Sequence, residues 1–184
     1  MTDTGPRVEL DPEDQEELKE IIIEFLSQYE ALYNYRIQKL IFYGEIYTAQ
    51  HFGERLTDAS FMPYHHGPYS FTVEKALDQL LEEGRICLNT HREGEQYMTS
   101  EEHGRLSSKK RTWIKNIHKD TRHMSTQDLV DFAKSTWLWR NFEREERIDF
   151  ASYIDEVVPA RNLHWSLAKE EEPASEEDVE RLLL

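Results

Sequence analysis

The chain has 184 residues, 38% of them hydrophobic and 32% charged, with a formal net charge of −15, which suits one polar globular domain with tails. The charge sits at the ends: residues 1–30 hold ten acids against two bases, residues 170–184 hold seven against one, and the middle is left at about −1. A single cysteine, Cys87, excludes an internal disulfide and a cysteine-based zinc site, no apolar run approaches a membrane span, and the start MTDTGPRVELDPEDQ lacks the basic and apolar regions of a secretory signal, so a reducing, cytoplasmic location is expected.

In chain order, residues 1–10 are expected to be flexible. Asp11-Pro12-Glu13-Asp14 is a helix start, with a capping Asp, Pro in the first turn and acids against the dipole. Leu18, Ile21, Ile22, Phe25 and Tyr29 then form an apolar face, which predicts a packed side and a wet acidic side. A second helix begins near Asn34 and carries Ile37, Leu40, Ile41, Gly44 and Thr48 on one face. Gly44 costs about 1 kcal/mol relative to Ala in a helix interior, which a close-packed backbone or aromatic ring would explain. Gly53 ends the helix, and Glu54–Tyr64 reads as a partly extended connection.

Next comes the densest aromatic and histidine cluster, Tyr64-His65-His66-Gly67-Pro68-Tyr69. Gly67 allows a sharp turn, and Pro68 fits the first position of a helix carrying Val73, Ala76, Leu77, Leu80 and Leu81 at helical spacing. After Gly84, Ile86 and Leu88 alternate with Arg85 and Cys87, His91-Arg92-Glu93-Gly94 is turn-like, and Tyr97-Met98 completes a hairpin. Thr99-Ser100-Glu101-Glu102 has capping-box spacing and predicts a short helix ending at Gly104. A basic stripe, Arg105–Arg122, follows as a helix near Ser108–Asp120 with Trp113, Ile114 and Ile117 inward. Ser125 or Thr126 opens another helix, Trp137-Leu138-Trp139-Arg140 reads as a core node, and a short helix around Asp149–Val158 is stopped by Pro159. Leu163-His164-Trp165 is expected to dock back, and 169–184 is an acidic tail. The expected fold is mainly α: a compact helical domain over 11–168 with one small β-hairpin, a winged-helix-like core and additional C-terminal helices.

Several chemistries find no support in the pattern. Adjacent His65 and His66 in an extended segment would face opposite ways, and a metal site would need His51 or Asp58 to converge. On that reading one His packs inward onto a backbone carbonyl and the other is exposed. Cys87 has no basic neighbour to lower its pKa. No nucleophile elbow or Gly-rich phosphate loop is present, so neither catalysis nor a cofactor is expected. Two binding surfaces remain. One is a recognition rim at Tyr64, His65, His66, Gly67, Pro68 and Tyr69. The other is a nucleic-acid surface from Arg92, Lys109, Lys110, Arg111, Lys115 and Lys119. Against DNA stands the acidity of the predicted recognition helix, with Glu74, Asp78, Glu82 and Glu83 against Lys75; the stripe could instead pair with the chain's own first helix or tail.

Taken together, Lys39-Leu40-Ile41-Phe42-Tyr43, Gly53, Leu56, Phe61, the Tyr64–Ser70 run and Gly84-Arg85-Ile86 resemble the Panacea domain of Soc-type antitoxins, over roughly residues 15–158. Ser135-Thr136-x-x-Trp139 is similar to a degraded later motif of that family; Lys134 or Ser135 stands where a His is expected and Leu138 where a Pro is. The resemblance implies a mostly helical protein-binding module that neutralises a cognate toxin by stoichiometric binding, with a protease served by an adaptor as a further partner; operator DNA is a partner suggested by the basic residues alone. The alternative from the residues is a winged-helix DNA-binding regulator using segment 105–122.

Overall fold

The computed structural model describes residues 9–91 and 94–160; Arg92, Leu163-His164-Trp165 and the tail 169–184 lie outside them. Helix α1 (Pro12–Gln28) starts as its sequence dictates, with the Asp11 carboxylate accepting the N–H groups of Glu13 and Asp14. Strand β1 (Leu32–Tyr33) leads into α2 (Asn34–Phe52), closed by Gly53 at φ 65°. A first hairpin, β2 (Met62–Tyr64) and β3 (Gly67–Tyr69), precedes α3 (Phe71–Glu82). A second, β4 (Cys87–His91) and β5 (Gly94–Met98), precedes α4 (Ser108–Thr121). Helices α5 (Thr126–Ser135), α6 (Trp137–Arg140) and α7 (Phe150–Ser152) follow, with a wider π turn at Tyr153–Val157. The protein is thus mainly helical with small antiparallel sheets. β1 joins the second hairpin in the order β1-β5-β4, pairing Leu32 with Tyr97, while β2 and β3 form a separate two-stranded sheet.

Sequence periodicity understates how deeply α1 is enclosed. Ile23 and Leu26 are buried with Leu18, Ile21, Ile22 and Phe25, and so are Lys19, Glu20 and Glu24. The expected wet acidic side is therefore corrected. α3 and α4 both pack on this helix, and its charges are answered inside the fold. Glu20 accepts both Nη groups of Arg85, at 2.7 and 3.1 Å, and the Arg105 N–H at 2.7 Å; Lys19 pairs with Glu83 at 2.6 Å. Burial pushes the Glu20 carboxyl up, but these bonds to Arg85 and Arg105 hold it below the usual range. Gly104 makes the approach possible, since a Cβ there would collide with the Glu20 carbonyl.

Five further expectations change. A second hairpin is present, in which Pro63 and Pro68 face each other across β2–β3; Pro68 therefore lies in a strand, and Ser70 caps α3 by accepting the Val73 N–H at 3.3 Å. No helix forms over 99–104, because Arg85 takes the Glu101 carboxylate at 2.8 and 3.0 Å and Thr99 bonds the Arg85 carbonyl. Gly44 makes room for the side chains of Leu56 and Ile117, not for a backbone or ring. Helical turn continues through Pro159 to Ala160 behind the π turn. Glu9 and Leu10 are placed against the body, with Leu10 partly buried on the core and Glu9 3.4 Å from Lys75.

The core is one cluster. α2 contributes Ile37, Leu40, Ile41, Phe42 and Ile46 and packs against α4, α5 and β3. Phe61, Phe42 and Phe150 meet edge to face beneath the first hairpin, with centroids 5.4 to 6.3 Å apart. Val73, Ala76, Leu77 and Leu80 seat α3, and Leu81 is half-buried.

Candidate functional site: a clamped aromatic hairpin

Two prolines lie in the β2–β3 hairpin. They face each other at a pair that exchanges no ladder bonds, so neither missing N–H is needed there, and the two carbonyls, directed away from the ladder, take partners outside the hairpin. The Pro68 carbonyl accepts the Lys39 ammonium at 2.6 Å. The Pro63 carbonyl accepts the Glu145 N–H at 2.9 Å, and the Phe61 carbonyl the Ile148 N–H at 2.8 Å. The segment 143–148 therefore fastens the outer edge of β2, and α2 fastens β3. Gln38, fully buried, completes the inner clamp: its amide donates to the Ser70 carbonyl and accepts the Ser70 N–H, both at 3.0 Å. Tyr35 adds a bond from its hydroxyl to the His66 carbonyl at 2.5 Å.

Lys39 is the least expected member. It is 2% exposed and lies under Gly67 with its ammonium 4.4 Å from the Tyr35 ring centre. Burial, helped by the like charge of Lys134, pushes it down to about 7. Gly67, at φ 110°, is needed twice over, for its backbone angle and because a Cβ would press on the Lys39 stem.

Held this way, the hairpin presents an aromatic strip. Tyr64 and Tyr69 lie 5.6 Å apart, Tyr69 and Phe71 5.2 Å, and Tyr64 and Phe71 6.3 Å. Phe71 is 38% exposed. Burial, with the Glu74 carboxylate beside it, raises Tyr69 well above an ordinary phenol, so it stays neutral. His65 and His66 are both exposed, because they form the two-residue turn of the hairpin and not part of an extended strand. The expectation of one inward histidine is corrected. His65 accepts a bond from Arg144, and His66 stands edge-on to Tyr35 at 6.3 Å. Met62 and Phe71 continue the strip into a hollow of about 460 Å³ shared with Leu10 and α3.

Sequence reasoning located Tyr64–Tyr69 but missed Phe71, Trp139 and Arg144. Trp139 and Phe142 line a second hollow, about 310 Å³, with Pro63, Tyr64, His65 and Arg144. The expected core role of the aromatic node holds for Leu138, which is fully buried, and for Trp137, which stacks on Tyr153 at 6.1 Å; Trp139 faces the hollow. The spacing of Trp139 within its motif was the available signal. Nothing local in sequence places Arg144 over Tyr64.

The basic stripe is assembled differently. Lys109 pairs with Glu54 at 2.5 Å, and Lys110 with Glu17 at 2.6 Å and the Leu56 carbonyl at 3.0 Å. The Arg111 Nε is 3.8 Å from the Glu24 carboxylate. Lys115 and Lys119 are exposed on α4, with no ion pair among the described residues. Arg92 lies outside the described residues. Among these residues no three His, Cys, Asp or Glu side chains converge as a metal site would require. No helix of the described residues is long and apolar enough to cross a membrane.

Residues 37–140, which span α2, the clamped hairpin, α3, the second hairpin, α4, α5 and α6, match the family model described as antitoxin SocA-like, Panacea domain. No curated protein and no solved structure matches the chain.

Proposed function

The chain belongs to the SocA-like antitoxin family built on the Panacea domain, and from that premise we propose that it neutralises a toxin by stoichiometric binding through the β2–β3 rim. A toxin partner follows from the family in general terms; the choice of surface is our reading. One observation carries it: three aromatic side chains sit side by side, Tyr64 and Tyr69 on a hairpin clamped at both edges and Phe71 at the start of α3. Rigid aromatic side chains are what interface hot spots use, because they supply area at low cost in conformational entropy. The clamps supply the preorganisation. The role on this reading is occlusion by binding and involves no chemical step.

The test is to express the product of the adjacent reading frame alone and together with this chain. The wild-type chain is expected to restore growth that the neighbour alone arrests, and Tyr64→Ser/Tyr69→Ser/Phe71→Ser to fail while remaining folded and soluble. Restored growth with the triple variant would move the contact surface elsewhere.

A second reading, a winged-helix DNA-binding regulator, draws support from the sheet order β1-β5-β4 and from Lys115 and Lys119, exposed and without an ion pair among the described residues. It is the weaker one. The other basic residues placed for it, Lys109, Lys110 and Arg111, are occupied by Glu54, Glu17 and Glu24, and α3 exposes Asp78 and Glu82. An adaptor role toward a protease rests on the family alone.

A further inference from the structure

The hollow beside the rim is basic in a strongly acidic protein. Its lining, Pro63, Tyr64, His65, Trp139, Phe142 and Arg144, contains no carboxylate. The Arg144 guanidinium lies 5.8 Å from the Tyr64 ring centre and bonds His65, and the Lys134 ammonium lies 5.8 Å from the Trp139 ring centre. Of the neighbouring carboxylates, one is engaged in its own turn and one meets Arg144 as a solvent-exposed, screened pair. Glu146 accepts the Glu143 N–H at 2.7 Å, and Glu145, 61% exposed, reaches only the Arg144 Nε at 3.5 Å.

The presentation of Arg144 is built into the backbone. Glu145 sits at φ 67°, left-handed and costly for a residue other than glycine. Its N–H is pinned to Pro63, so the turn is paid for by the same bond that clamps the rim. The result is that Arg144 is folded back over Tyr64.

Aromatic hollows commonly receive cations. Here the two rings already face cations from the chain itself, so a further positive group would meet like charge from Arg144 and Lys134. An apolar side chain fits the space left between Trp139, Phe142 and Pro63, and a neighbouring carboxylate would find the guanidinium beside it. Resting on the rim as the toxin-contact surface, we infer that this hollow is its specificity pocket and takes an aromatic or large aliphatic side chain flanked by Asp or Glu on the partner.

A displayed library of random 12-residue peptides, panned on the full chain and counter-selected on Arg144→Glu, tests this. Enriched peptides are expected to pair an acid with an aromatic or large aliphatic residue within two positions. Their affinity is expected to fall at least tenfold on Arg144→Glu and on Trp139→Ala. Arg144 is exposed, so its reversal leaves the fold intact; Trp139→Ala is checked by its unfolding midpoint. No enrichment, enrichment of Lys or Arg in place of the acids, or affinity indifferent to both variants would overturn the inference. The two levels separate cleanly. Growth rescue lost with the Tyr64/Tyr69/Phe71 variant but kept with Arg144→Glu sinks the pocket and leaves the rim. Acid-selective peptide binding with no toxin neutralised sinks the rim's function and leaves the pocket.

Discussion

On α4, Lys109, Lys110 and Arg111 each lie beside a carboxylate of the same chain. At the β2–β3 hairpin, Tyr64 and Tyr69 lie beside one another and beside Phe71 of the adjoining α3, which is open to solvent. The two segments look alike as candidate surfaces in the sequence, one by charge and one by aromatic density. Folding consumes the first and exposes the second. The difference lies in what surrounds each: the buried Glu24 of α1 must be paired or hydrogen-bonded and has Arg111 beside it, while Lys109 and Lys110 meet the more exposed Glu54 and Glu17, whereas the aromatic strip rests on clamps made from other groups.

The comparison breaks first if the acids of α1 prove dispensable. Glu24 is 1% exposed, accepts the Gly104 N–H at 3.0 Å, and faces Arg111. Glu24→Ala is expected to cost about 2 kcal/mol in urea unfolding, because it strands the buried Gly104 N–H; Arg111, 43% exposed, loses a partner but keeps its solvent. A loss under about 0.5 kcal/mol would mean that the stripe's charge is not structural.

The clamp is tested by pH. Lys39 is pushed down to about 7 in the fold from an ordinary 10.5. Below pH 7 both folded and unfolded chains carry the proton, so the fold bears the full cost of burying the charge. Between pH 7 and about 10 the unfolded chain keeps the proton and the fold does not, so stability rises with pH, by at most about 1.4 kcal/mol per unit. Lys39→Met is expected to flatten this rise. An unchanged pH slope in the variant would remove Lys39 from the account.

The smallest effect sharpens the other side. Lys115→Glu/Lys119→Glu is expected to leave the thermal midpoint unchanged, since both side chains are exposed and unpaired among the described residues. A drop of several degrees would show that these cations too are used by the fold.

Much of this was legible beforehand. The Asp11 cap, the Gly53 stop, the helix start at Ser125 or Thr126 and the inward Trp113, Ile114 and Ile117 are local features, and local rules find them. The partners of buried polar groups were not legible, because Gln38 meets Ser70 and Glu20 meets Arg85 across 32 and 65 residues of chain. Lys39 reads as a surface residue by type, and only its long-range bond to the outward carbonyl of Pro68 explains why it is inside. Pro68 misled as well: its fixed φ suits a helix start, but Ser70 offers the better cap two residues later. Arg144 joined the site through a turn that no periodicity marks.

The most direct measurement is the dissociation constant of the purified cognate toxin for three full-length chains: wild type, Tyr64→Ala/Tyr69→Ala, and Lys115→Glu/Lys119→Glu. The account predicts at least about 30-fold weaker binding for the rim variant, as loss of an aromatic hot spot worth roughly 2 kcal/mol gives, and less than threefold change for the charge variant. Binding unchanged in the rim variant and abolished in the charge variant would contradict it.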